Sequence, residues 1–189
     1  MNASKLQLKL FIDGDVPHAD RFIPVFHDWI KHHKLPELLI DVANYAHVPK
    51  GPGVALIGND GDYFIDDTDG RAGLLYSRKR EAPVPEARIA DAFRRALNAA
   101  TLLEKSFDGK LRFRTDELLF RINDRLKAPA GETTFTEVRP ELDAHCTKLF
   151  AGTHKLALVG GAKQLFSVKI TTDGKADLAT LLGRAGGPL

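Results

Sequence analysis

The chain predicts an α+β fold: a mainly antiparallel sheet, built from hairpins and a central meander, packed against two or three longer helices. Three observations carry this expectation. Short apolar strands recur around Asn/Asp-Gly and Gly-Gly turns, as in "GVALIGNDGDYFIDD" and "HKLALVGGAKQLFSVKITT", the local signature of hairpins. Residues 85–107 and 137–150 instead place apolar side chains at helical spacing. The strands also cluster rather than alternating one by one with helices, which argues against a doubly wound βαβ order. No internal repeat is present.

Taken in order, Lys5–Ile12 ("KLQLKLFI") alternates, with Leu6, Leu8 and Leu10 on one face, as a half-buried strand does. After "DGDVP", Phe22, Ile23, Phe26 and Ile30 recur at helical spacing, and Pro24 in the first turn moves the helix start to about Arg21. "ELLIDVANY" reads as a strand or short buried segment. "GVALIG", "YFIDD" and "RAGLLYSRKR", joined by "NDGD" and "DTDG", read as a three-stranded meander. In the 85–107 helix, Ile89, Phe93, Ala96, Leu97, Ala100 and Leu103 form the apolar stripe, and Asp108-Gly109 ends it. "KLRFRTDELLFRINDRL" fits two readings, a helix with Leu118, Ile122 and Leu126 on one face or a hairpin turning at "TDE", of which the hairpin is preferred. Glu137–Phe150 reads as a helix whose start Pro140 sets, and "HKLALVGG" with "QLFSVKITT" as a last hairpin before a short C-terminal helix.

The 189 residues predict one domain, 1–189, large enough to bury about 70% of its unfolded surface. Residues 81–86 ("EAPVPE") are the candidate boundary between an acidic 1–80 half carrying the meander and an 87–189 half of helix plus hairpins. Cys146 is the only cysteine, which excludes an intramolecular disulfide. The N-terminal stretch lacks the uninterrupted apolar core of a signal peptide, and no window approaches the ~20 apolar residues of a membrane span. These features predict a cytoplasmic protein with no membrane partner. The net charge of +2 hides a gradient: −5 over residues 1–70, +6 over 71–127 and +1 over the rest. Opposite blocks of this kind pair within one fold, or draw copies together, so self-association as a homo-oligomer is expected.

Five constellations bear on function. In "HVPKGPGV", Gly51 and Gly53 let backbone amides approach an anion and Lys50 adds a point charge; the glycine spacing is not that of a P-loop, and Pro52 removes a donor. A tight connection between strands explains the same residues. His47 beside that loop suits a general base, with Asp41 as its orienting carboxylate if the two converge. His27, His32 and His33 have the wrong spacing for a helical metal pair, "DDTDG" fails the calcium-loop pattern, and no Cys-x-x-Cys occurs, so neither a metal nor a cofactor is implied. The arginines of residues 78–125, with Phe113 and Phe120 between them, match a nucleic-acid footprint only if they share one face. Last, Asn123, Asp124 and Arg125 ("NDR") form either a ligand shelf or an Asx turn closing a strand.

The leading expectation is a binding, accessory or regulatory protein whose ligand the sequence does not identify, a small anion being one candidate. The alternative is a small enzyme acting on an anionic metabolite, with His47 as acid/base, Asp41 orienting it, and Lys50 and Arg125 holding the anion. Nucleic-acid binding through residues 78–125 is the third.

Overall fold

A computed structural model describes residues 3–49, 51–82 and 84–189. Lys50, one of the expected anion holders, and Pro83 of the 81–86 junction lie outside the described residues. The strands are β1 (Leu6–Asp13), β2 (Leu39–Asn44), β3 (Val54–Gly58), β4 (Gly61–Asp66), β5 (Gly73–Arg78), β6 (Arg112–Ile122), β7 (His154–Val159) and β8 (Phe166–Thr172). The helices are α1 (Phe22–Lys31), α2 (Arg88–Ser106), α3 (Glu132–Phe150) and α4 (Leu178–Arg184). The strands make one sheet in the order β2-β3-β4-β5-β1-β6-β8-β7, with every neighbouring pair antiparallel. The fold is therefore α+β, with the meander present and extended by β2. Strands from both sides of the 81–86 junction share the sheet, because β1 pairs with β5 on one side and β6 on the other.

Register divides the sheet into two chemically different faces. Leu8 pairs with Tyr76, Tyr76 with Tyr63 and Tyr63 with Leu56; on the other side Leu8 pairs with Phe120 and Phe120 with Val168. Paired residues share a face, and these belong to the core cluster that also takes in Phe26 and Trp29 of α1, Phe93 and Leu97 of α2, Leu142 and Cys146 of α3, and Leu181 of α4. All four helices thus cover one face. The opposite row runs Asp62, Ser77, Gln7, Arg121, Ser167 and, one step along, Phe64, Leu75, Lys9, Leu119, Lys169. Among the described residues, no helix packs on this bare face.

Three expectations are corrected. β1 is buried on both faces rather than half-buried, since Gln7, Lys9 and Phe11 are as enclosed as the leucines. Residues 112–122 are one strand, not a hairpin. Between the pairs Leu10–Leu118 and Ile12–Phe113, β1 advances two residues while β6 advances five, so the polar "RTDE" stretch forms a bulge along an unbroken partner. α3 begins at Glu132, and Pro140 lies inside it. Thr134, Val138, Leu142, Cys146 and Leu149 carry a continuous buried stripe through that point. Pro140 sits on the exposed side, where water reaches the carbonyl it leaves unpaired.

The helical face also holds a polar network. Glu37, buried before β2, accepts hydrogen bonds from Tyr63 Oη (2.5 Å), Arg95 Nη1 (3.0 Å) and the Gly61 amide (3.0 Å). Arg95 also bonds Asp91, which pairs with buried Arg78. Burial, with the Glu37 charge, raises the Tyr63 hydroxyl well above its ordinary range. Two acids balance two cations, so the network ties α2 to the meander without leaving a net buried charge.

On α3, His145 packs its ring edge-on to Phe93 at 4.5 Å, with Nε2 buried and unpartnered. Burial, assisted by Lys148, pulls its pKa down to about 4. An unfolded imidazole protonates near 6.5, so the unfolded state binds the extra proton between these values. Stability is complete above pH 6.5 and falls as the pH drops toward 4, by up to about 3 kcal/mol. Urea denaturation across this window will show that loss in the wild type and a flatter profile in His145→Leu. An identical slope in both would refute the assignment.

Candidate anion-binding site

The bare face is organised around Lys9. It lies on the central strand, where alternation turns it away from the leucines, and its side chain is 0% exposed. Its ammonium donates to Asp66 Oδ2 at 2.7 Å and Asp69 Oδ1 at 2.5 Å. Asp66 ends β4 and is itself buried; its other oxygen accepts the Thr68 hydroxyl at 2.7 Å. On β5, a Cβ at Gly73, the partner of Phe11, would run into the Leu10 carbonyl and crowd the Lys9 side chain.

These bonds draw the β4–β5 connection, residues 67–72, over the sheet as a strap. Gly70, at φ +79°, makes the turn. Arg71 lies 3.8 Å from the Phe11 ring and donates to Glu117 at 2.6 Å. Asp69 uses its second oxygen to accept from Arg121 Nη2 at 2.8 Å. Burial alone would raise the Asp69 pKa, but Lys9 and Arg121 outweigh it and hold the carboxyl below its usual range.

Beside the strap, the bare face opens into a cleft of about 440 Å³. Leu119, Val159 and Ser167 of β6, β7 and β8 form its floor, and Arg121, Arg125 and Lys163 bring three positive charges to its walls from β6, the turn after it and the β7–β8 loop. Among the described residues, Asp69 is the only acid in that wall, and it is already committed to Lys9 and Arg121. Among the described residues, Arg125 and Lys163 have no ion-pair partner. The charge pattern suits a small anion, and the floor offers apolar surface beside it.

The expected site residues are scattered. Asp124 accepts the Lys127 amide at 3.0 Å and its carbonyl accepts from Ala128, which makes the Asx-type turn; this turn projects Arg125 into the cleft. Asn123 is exposed, its amide bound to the Lys5 carbonyl. Asp41 lies on edge strand β2 with its carboxylate accepting the adjacent Val42 amide at 2.7 Å. His47 is exposed and lines a different cleft of about 450 Å³, with Tyr45, Val48, Gly51 and Gly53, to which Asp41 contributes nothing. The two share no hydrogen bond. Gly51 donates to Val48 in a tight turn, and a Cβ at Gly53 would collide with the Ile65 carbonyl, so packing accounts for both glycines.

The arginines of residues 78–125 do not share one face. Arg78 and Arg95 are buried under the helices, Arg88 pairs with Glu141, and Arg112 pairs with Glu104, while Arg121 belongs to the bare face. Phe120 is core and Phe113 is nearly so. Among the described residues, no three His, Cys, Asp or Glu side chains gather as a metal site, and no helix is long and apolar enough to cross a membrane. Lys9, Asp66, Asp69, Arg121 and Lys163 were not singled out together from the sequence. The available signal was a lysine inside an apolar strand and three acids in one five-residue turn, "DDTDG".

Neither a protein-family model nor a curated protein sequence matches this chain.

Because Asp66 is sealed beside Lys9, Lys9→Met leaves a buried carboxylate unpaired and will lower stability by about 3–5 kcal/mol in chemical denaturation. Lys9→Met combined with Asp66→Leu will recover most of that loss. If the double variant is no better than the single, the ion pair does not set the strap's position.

Proposed function

We propose that the protein works by binding, and that its ligand is a small anion held in the cleft between the strap and the β7–β8 loop. One observation carries this reading: Arg121, Arg125 and Lys163 come from three separate segments to one cleft and exceed its acids by two charges. Arg121 is held at the cleft wall by Asp69, so one cation already stands there before any ligand arrives. The two remaining cations stand at the rim, where they draw anions in from solution.

Thermal-shift measurements with pyrophosphate and citrate, at constant ionic strength, test the reading. A ligand at ~100 times its Kd stabilises by about 2.7 kcal/mol, which raises Tm on the order of 5 °C for a chain of this size. The Arg125→Ala/Lys163→Ala double variant will lose that rise, and His47→Ala will keep it. Absence of any rise in the wild type, or an undiminished rise in the double variant, would overturn the proposal. Loss of the rise in His47→Ala alone would move the site to the other cleft.

A further inference from the structure

The charge count of this cleft specifies more than an anion. Resting on the anion-binding reading above, we propose that the ligand is a phosphate monoester with an apolar body, and that its dianionic phosphate displaces the Asp69 carboxylate from Arg121.

The strap cluster is balanced by itself. Lys9 and Arg121 carry two positive charges, and Asp66 and Asp69 carry two negative ones. Within it the two acids are not equivalent. Asp66 is sealed, holds Lys9 at 2.7 Å and is braced by Thr68, so it alone neutralises the ammonium. Asp69 is a quarter exposed, stands on a turn, and bridges Lys9 to Arg121. It occupies the position on Arg121 that a ligand's oxygens would take. Arg121 offers a planar fork suited to two oxygens of one group, and Arg125 and Lys163 supply the two charges that remain unmatched.

A compact group with two negative charges fits that surplus. A carboxylate or sulfonate brings one charge, and a phosphodiester, as in nucleic acid, brings one per phosphate. A phosphate monoester brings nearly two above its second pKa of about 6. The cleft also offers apolar surface: Leu119, Val159 and Leu165 lie beside the basic wall and suit a hydrophobic or planar body. When the phosphate takes Arg121, Lys9 keeps Asp66, so no buried charge is left bare. The strap then remains held by Arg71 on Glu117 and Phe11.

The test uses phenyl phosphate, benzenesulfonate and inorganic phosphate, titrated calorimetrically into the full chain at pH 8 and fixed ionic strength. Phenyl phosphate will bind about tenfold tighter than benzenesulfonate, its singly charged counterpart of similar shape, and about tenfold tighter than inorganic phosphate. Asp69→Asn, which removes the internal competitor, will tighten phenyl phosphate binding several-fold even though it lowers Tm; Asp69→Ser will do the same if the asparagine variant folds poorly. Equal affinity for the two aryl anions would overturn the dianion assignment, and equal affinity for phenyl phosphate and inorganic phosphate would overturn the apolar body. Weaker binding in the folded Asp69 variants would show that Asp69 positions Arg121 for the ligand rather than competing with it. If none of the three probes binds the wild type, the anion-site reading itself fails along with this one.

Discussion

A single ammonium, that of Lys9, governs the bare side of this sheet. It sits on the strand with neighbours on both sides, so it cannot swing to an edge for water. A charge in that position needs carboxylates, and no helix covers that face to bring them. The acids therefore come from the end of β4 and the turn that follows it, and binding them pulls the turn across the sheet. Asp69 then has one oxygen left over, and that oxygen fixes Arg121. The position of one cleft wall thus follows from the burial of a lysine one strand away.

The two faces handle charge differently, and together they resolve the gradient along the sequence. Three bridges join the acidic first third to the basic middle: Glu37 to Arg95, Asp62 to Lys79, and Asp69 to Arg121. Under the helices the arrangement closes on itself, since the charges of Glu37, Asp91, Arg78 and Arg95 cancel with no cation in surplus. On the bare face it does not close, because Asp124, the acid beside Arg125, is spent on the Lys127 amide outside the cleft lining and the loop of Lys163 carries no acid. Opposite blocks in a sequence thus end as a neutral tie on one side of the sheet and an unbalanced cleft on the other.

Much of the fold was legible because its signals are local. Gly-containing turns, period-two runs and the Ile89–Leu103 stripe each specify an element without reference to the rest of the chain. The misreadings occur where distant partners decide. "TDE" carries turn-like residues, yet β1 runs unbroken alongside it and converts a would-be turn into a bulge. Pro140 resembles a helix start, yet the Thr134–Leu149 stripe against the sheet carries the helix through it. Lys9 was illegible for the same reason: alternation places it opposite the leucines, but only the strap determines that this side is enclosed. In the candidate site, Arg125 could be noticed beside Asp124, whereas its convergence with Arg121 and Lys163 depends on the strand order β6-β8-β7, which no spacing encodes. His47 drew notice for its stiff loop, but the rigidity of that loop serves the close approach of Gly53 to Ile65.

The cleft combines one bonded cation with two exposed, unpaired ones, and this division sets what kind of ligand the proposed site can hold. Arg121 is 15% exposed and already bonded, so little conformational freedom remains for it to lose. Arg125 and Lys163 are exposed, and ordering each costs about 0.5–1.5 kcal/mol. A singly charged ligand that must displace Asp69 and order both rim side chains has too few contacts to offset those losses. A doubly charged group engages all three cations at once, and an apolar body adds floor contacts that require no further ordering of charged side chains. On the proposal made above, selectivity rests on the strap: while Asp69 holds Arg121, a weak anion meets an occupied partner, and a ligand with greater charge density replaces it.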